Sequence, residues 1–231
     1  VDAERRKSIT EHHTLTHLLH AALRQVLGTH VAQKGSMVSS QGMRFDFSHF
    51  AKMTDEEIQH VTSIVNARIR QNIPVVIREM PKEEAIQLGA MALFGEKYGD
   101  TVRVVTIDPN YSIELCGGTH VGQTGELGQC MIIAESGVAA GVRRIEAVCG
   151  AAFESKHEEE QQLIKNVHQL MKQPRDLIRS IEQQSEELIL LRKQNEQLEN
   201  KLNGYLKIEL EAKAETVGGF HFIGALISIG S

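Results

Sequence analysis

The chain has no tryptophan and only three tyrosines and seven phenylalanines in 231 residues. Its core must therefore be mostly aliphatic, and binding of single-stranded nucleic acid on broad aromatic platforms is excluded as the main device. No run of about eighteen apolar residues occurs, so nothing reads as a membrane span. The opening VDAERRKS lacks the apolar stretch of a secretory signal. Three cysteines are too few and odd in number for a disulfide framework, which points to a reducing compartment and hence to the cytoplasm. A formal net charge of -5 supplies no global attraction to polyanions, so any contact with nucleic acid must come from a local basic patch. No glycine loop of the phosphate-cradling kind is present, so no ATP site is visible within these residues.

What the chain does have is 41% hydrophobic residues, enough for one ordinary domain and an appendage. Leu15, Leu18, Leu19, Ala22, Leu23 and Val26 recur at three and four and predict a helix over 8–27, ended by Gly28. Alternation over 31–38 and 43–48 predicts a hairpin with Phe45 and Phe47 inward and Arg44, Asp46 and Ser48 on the other side. A second helix fits 55–72, a strand 73–80 and a short helix 82–88. Strands are expected at 101–107, 111–115, 129–135 and 142–148, with a glycine-bearing loop over 136–141. Cys130 and Cys149, in strand-like runs, read as small buried hydrophobes. Helices and strands mix without strict alternation, so the fold class is α+β, a mixed or antiparallel sheet with packed helices.

After Gly150 the texture turns to Glu, Gln, Lys and Leu. A helix over 153–172 is interrupted at Gln173-Pro174. Beyond it a heptad seam runs from 177 to 205, apolar except for Gln184 and Asn195. This is expected to be a long helical hairpin, or a coiled coil through which two copies of the chain associate. The domains are read as 1–150, a helical segment 151–213 and the start of a further domain at 214–231. The first residue is Val, and the last stretch stops partway through a strand-like run, so the chain is expected to be a fragment of a longer protein.

Two short stretches a hundred residues apart carry the chemistry: His13-Thr14-Leu15-Thr16-His17 and Cys116-Gly117-Gly118-Thr119-His120. Histidines four apart project from one helix face, and a Cys-x3-His on a glycine turn can offer two more donors to the same tetrahedral ion. The four residues His13, His17, Cys116 and His120 are therefore read as the ligands of one Zn2+. His20 lies on the neighbouring stripe of the helix but is read as a packed histidine, as is His12. Thr14, Thr16 and Thr119 bracket the ligands and are candidates for orienting water or the ligands themselves.

The runs HHTLTHLLHAALRQVLGTHVAQKGSMV, MRFDFSHF, ELCGGTHV and ESGVAAGVRRIEAVCG, in order over about residues 1–150, resemble the editing domain of the alanyl-tRNA synthetase family. The HxxxH and CxxxH signatures are shared with free-standing alanyl-tRNA editing proteins and, more distantly, with the threonyl-tRNA synthetase editing domain. The resemblance implies an aminoacyl-tRNA deacylase that hydrolyses mischarged Ser-tRNA(Ala) and Gly-tRNA(Ala), with zinc on the four residues above and the tRNA(Ala) acceptor end as partner. It implies that ATP-dependent ligation belongs to a portion outside this chain. Gln33 matches the family position that discriminates the serine hydroxyl, and its amide can both donate and accept. Lys34, Arg143 and Arg144 are the cations expected to meet tRNA phosphate, with Arg44, Asp46, Ser48 and His49 as supporting residues. Four protein ligands leave no open tetrahedral position, so the ion either positions the substrate or activates water by changing its shell. A free-standing deacylase and a non-catalytic zinc-stabilised tRNA-binding or dimerisation module are the alternative readings.

Overall fold

The computed structural model of the chain describes residues 2–92 and 99–223; the apolar run expected from residue 224 lies outside them. In chain order the elements are α1 (Ala3–Leu27), β1 (Gln33–Val38), β2 (Met43–Ser48), α2 (Asp55–Arg70), β3 (Val75–Pro81), α3 (Lys82–Gln87), β4 (Thr101–Ile107) and β5 (Ser112–Leu115). A 3-10 turn follows at Thr124–Leu127, then β6 (Cys130–Ala139), β7 (Val142–Cys149), α4 (Gly150–Leu170), α5 (Leu177–Ala212), β8 (Glu215–Val217) and β9 (Phe220–Phe222). The α+β class expected from the sequence is what is found. The chain divides into two compact units, residues 1–161 and 162–231.

In the first unit, the strands form two sheets rather than one. One is ordered β1-β2-β7-β6 and the other β3-β4-β5, with antiparallel neighbours throughout both. Helix α1 touches β1, β2 and β7 of the first sheet and β5 of the second, and packs on α2 as well. It starts at Ala3, where the Asp2 carboxylate accepts the Arg5 N–H at 3.0 Å, five residues before the apolar pattern begins. Nearly every residue from Glu11 to Leu23 is buried, as a helix wedged between sheets requires, so its polar residues need partners inside the protein.

The β2 alternation holds: Phe45 and Phe47 are fully buried, and Arg44, Asp46 and Ser48 are half-buried on the other face. Phe45 pairs with Ile145 across β7 and joins Leu15, Leu18 and Leu19 in the main core. Each such side chain contributes on the order of 1.5–3 kcal/mol by leaving water. Helix α2 opens with a capping box, Thr54 Oγ1 accepting the Glu57 N–H at 3.2 Å and the Glu57 carboxylate accepting the Thr54 N–H at 2.9 Å.

The loop expected over 136–141 is corrected. Strand β6 continues to Ala139, pairing Ser136 with Arg144 and Gly137 with Arg143, and only Ala140 and Gly141 turn, the latter at φ +71°. Gly137 is accommodated inside a strand because the Arg143 guanidinium lies over it, where a Cβ would come within 2.9 Å.

In the second unit, Asp176 caps α5 by accepting the Arg179 N–H at 3.0 Å, and the helix runs for 36 residues. Its seam residues Leu188, Leu191, Leu198 and Leu202 are all exposed. Strands β8 and β9 pair antiparallel after it.

Candidate metal centre

Helix α1 supplies His13 and His17 from one face, one turn apart. The other pair arrives on the loop that leaves β5. Pairing of Val104 with Leu115 sets the β4–β5 register, and the Cys116 N–H then donates to the Arg103 carbonyl at 3.0 Å. The Arg103 guanidinium donates to the Cys116 carbonyl at 3.0 Å and also, at close range, to that of Gly118, so the loop is held from below. The Thr14 hydroxyl anchors its far end by accepting the Val121 N–H at 3.2 Å.

These anchors bring together what the sequence reading paired. One donor atom from each of His13, His17, Cys116 and His120 lies within 4.8 Å of every other. His13 Nε2 is 3.4 Å from the Cys116 Sγ. A Cβ on Gly118 would sit 1.8 Å from His13 Cε1, so the second glycine of the Cys-Gly-Gly turn is what admits this imidazole.

The donor set fits a divalent ion. Thr14 donates its one hydroxyl hydrogen to the Thr10 carbonyl at 3.0 Å, so its 3.3 Å contact with His120 Nδ1 requires that nitrogen to carry the hydrogen. The lone pair of His120 is then on Nε2, which is buried without a protein partner. His17 repeats the arrangement, with Nδ1 at 2.5 Å from Glu114 Oε2 and Nε2 buried and unpartnered. Two lone-pair nitrogens, a third imidazole and a thiol converging at this spacing can hold one tetrahedral ion.

The charges inside the cluster are coupled. Burial pushes the Cys116 thiol up, but the imidazoles of His120, His13 and His17 crowded around it outweigh this and hold it down to about 3. Burial disfavours the Glu114 anion, and the facing His17 charge reverses this, leaving its carboxyl at about 2. His17, also opposed by burial, is raised to about 10 by Glu114, so a cation binding at its Nε2 would displace a proton from that nitrogen while Nδ1–H stays on the carboxylate. Burial lowers His120. A thiolate beside imidazoles is the electrostatic setting in which a cation is bound.

The other sequence candidates are placed differently. Thr16 turns its hydroxyl back onto the His13 carbonyl at 2.7 Å, whereas exposed Thr119 meets Thr10 across the mouth of the cluster at 3.3 Å. Gln33 is half-buried on β1, its amide donating to Ser36 Oγ at 3.1 Å, and Lys34 beside it is exposed. Arg143 donates through Nε and Nη2 to the Glu135 carboxylate, at 2.5 and 2.6 Å, and Arg144 likewise to that of Asp46, at 2.6 and 2.8 Å. Ser48 donates to the His30 carbonyl at 2.8 Å, and His49 stacks on His30 with ring nitrogens 3.0 Å apart. His12 is buried and accepts the Cys149 N–H at 3.2 Å.

Glu114 and Arg103 went unnoticed in the sequence. The signal for Glu114 was there: it lies two residues before Cys116 in an apolar strand, and alternation puts the two on one face. A hollow of about 370 Å³ lined by Val76, Met80, Val104 and Ile113 lies on the opposite face of β3–β4–β5 and includes none of the four donors.

The chain is also similar to known proteins. The family described as threonyl and alanyl tRNA synthetase second additional domain matches residues 102–146. The chain is 50% identical over 227 residues to the alanine–tRNA ligase of Cytophaga hutchinsonii and 49% identical over 226 residues to that of Acetivibrio thermocellus, in each case across 97% of this chain and 26% of the relative. It is 55% identical over 180 residues to that of Gluconobacter oxydans, across 75% of this chain and 20% of the relative. The chain thus spans about a quarter of the length of these relatives. Kinship at about one residue in two along nearly all of its length makes this chain a member of the alanyl-tRNA synthetase family.

Proposed function

We propose that the chain is an editing module that hydrolyses the ester of mischarged Ser-tRNA(Ala) and Gly-tRNA(Ala) in the cytoplasm, with one Zn2+ on His13, His17, Cys116 and His120. The observation that carries this reading is the convergence of those four donors from α1 and the β5 loop, in a chain akin to alanine–tRNA ligases. Such ligases need a second site, because exclusion by size fails against glycine and one extra hydroxyl is poorly rejected by an apolar pocket.

Zinc, when bound, would order the pocket and, on expanding its shell beyond the four protein donors, supply Lewis acidity beside the scissile ester. The residues do the rest. Four protein donors make a filled tetrahedral set, so their task is to fix the ion rigidly rather than to leave a vacant position. Thr14 holds His120 by its Nδ1 side, and Thr119 lies at the exposed mouth, where a terminal ribose would enter. Thr16 acts through the backbone of His13. Gln33 offers the serine hydroxyl a donor and an acceptor. Lys34, Arg143 and Arg144 meet tRNA phosphates, the two arginines through the guanidinium donors left over by Glu135 and Asp46. ATP-dependent ligation belongs to the portion of the relatives outside this chain.

A deacylation assay on Ser-tRNA(Ala), with chelator and after zinc restoration, tests the reading. Turnover lost on chelation and restored by the ion is the expected result. Binding of tRNA without any turnover would instead make the centre a structural clamp, as a filled ligand set would also suit.

A further inference from the structure

Strand β5 carries Glu114 into the interior beside α1, where it is 1% exposed. Both its oxygens are engaged: Oε2 lies 2.5 Å from His17 Nδ1, and Oε1 lies 3.0 Å from His20 Nδ1 and 3.4 Å from Ser112 Oγ. An ionised carboxylate only accepts, so each imidazole must present an N–H at Nδ1. For His17 this leaves the lone pair on Nε2, the nitrogen on the side of the four-donor cluster. His20 contributes nothing to that cluster. Its ring rests beside Phe45, centroids 5.3 Å apart, and its Nδ1 holds the second carboxylate oxygen in place.

We propose that Glu114 is the positioning residue of the metal centre, setting the tautomer and ring orientation of His17, with His20 as the brace that fixes the carboxylate. The proposal rests on the reading of the four donors as a metal site. Two physical reasons support it. A carboxylate on the far nitrogen makes a ligating imidazole more basic and removes its rotational freedom. Charge also balances: a divalent cation, the Cys116 thiolate and the Glu114 carboxylate sum to zero with three neutral imidazoles, and a buried assembly that is neutral avoids the cost of an uncompensated charge.

The test uses the ion itself as probe on the full chain. Glu114→Gln keeps the shape and removes the charge. Zinc affinity is read by competition with a chromophoric chelator, and the ligand field by the visible spectrum of the Co2+-substituted protein. The expected result is a zinc Kd weakened by about 10–100-fold, a displaced Co2+ band, and partial recovery of both with Glu114→Asp, which restores the charge. A Kd within about threefold of wild type with an unchanged Co2+ band, for a folded Glu114→Gln protein, overturns the assignment while leaving the metal site intact. If Glu114→Gln does not fold, His20→Leu is read in its place, since it removes only the brace on Oε1; an unaltered Kd and band there overturn the proposal. A wild-type chain that binds no divalent ion overturns it together with the metal reading.

Discussion

At the scale of single residues, acid and base should act on the metal-free protein through three buried groups. Glu114, at about 2 in the fold against 4.5 ordinarily, contributes stability that is complete above 4.5 and lost as pH falls through about 2. Cys116, at about 3 against 9.0, contributes stability that is complete above 9.0 and lost as pH falls through about 3. His17, at about 10 against 6.5, works in the opposite sense: its contribution is complete below 6.5 and lost as pH rises through about 10. Between 6.5 and 9.0 the thiol and imidazole effects offset one another. The urea midpoint of chelator-treated protein is therefore expected to rise from pH 3 to 6.5, level off to pH 9 and fall above it. A midpoint that fell between pH 5 and 6.5 would mean that these charges are not set as the geometry implies.

Among the elements, α2 is joined to the first sheet by its apolar residues Val61, Val65 and Ile69 and by one buried amide. Asn66, 8% exposed, accepts the Cys130 N–H at 2.8 Å and donates to the Cys130 carbonyl at 2.9 Å. It thereby pairs with the free edge of β6 as another strand would. Asn66→Ala leaves two buried backbone groups without partners, which costs about 3 kcal/mol. Urea denaturation should show that loss while zinc affinity stays near wild type, because neither β6 nor α2 holds a candidate ligand. Loss of ion binding in a folded Asn66→Ala protein would show that the sheet edge reaches the centre after all.

For the whole molecule, the division into two compact units separates chemistry from association. All four candidate ligands lie in residues 1–161, and the exposed seam of α5 lies in 162–231. A leucine stripe of this length is uncovered within its own unit, and Asn195 on the seam is of the kind that selects register in paired helices. We expect concentration-dependent dimers in sedimentation velocity, abolished by Leu191→Lys with one ion still bound per chain. A wild-type chain that stays monomeric at every concentration would remove the seam from the list of partners.

Much of the centre could be read before folding was considered, because helical periodicity puts His13 and His17 on one face and two glycines let Cys116 and His120 close on one point. The α+β class and the inward Phe45 and Phe47 were legible for the same reason: alternation and three-to-four spacing are local properties of the chain. Local pattern could not show that α1 is wedged between two sheets, and so it left His20 as packing and overlooked Glu114. Nor could it show that β6 runs through Gly137, since the side chain that covers this glycine comes from the neighbouring strand. Arg143 and Arg144 looked like unclaimed cations until cross-strand register set Glu135 and Asp46 against them. The residue types and spacings, then, determined which atoms could bind an ion; only the packing of α1 against β5 decided which nitrogen of each imidazole faces it, because tautomer and orientation depend on partners distant in sequence.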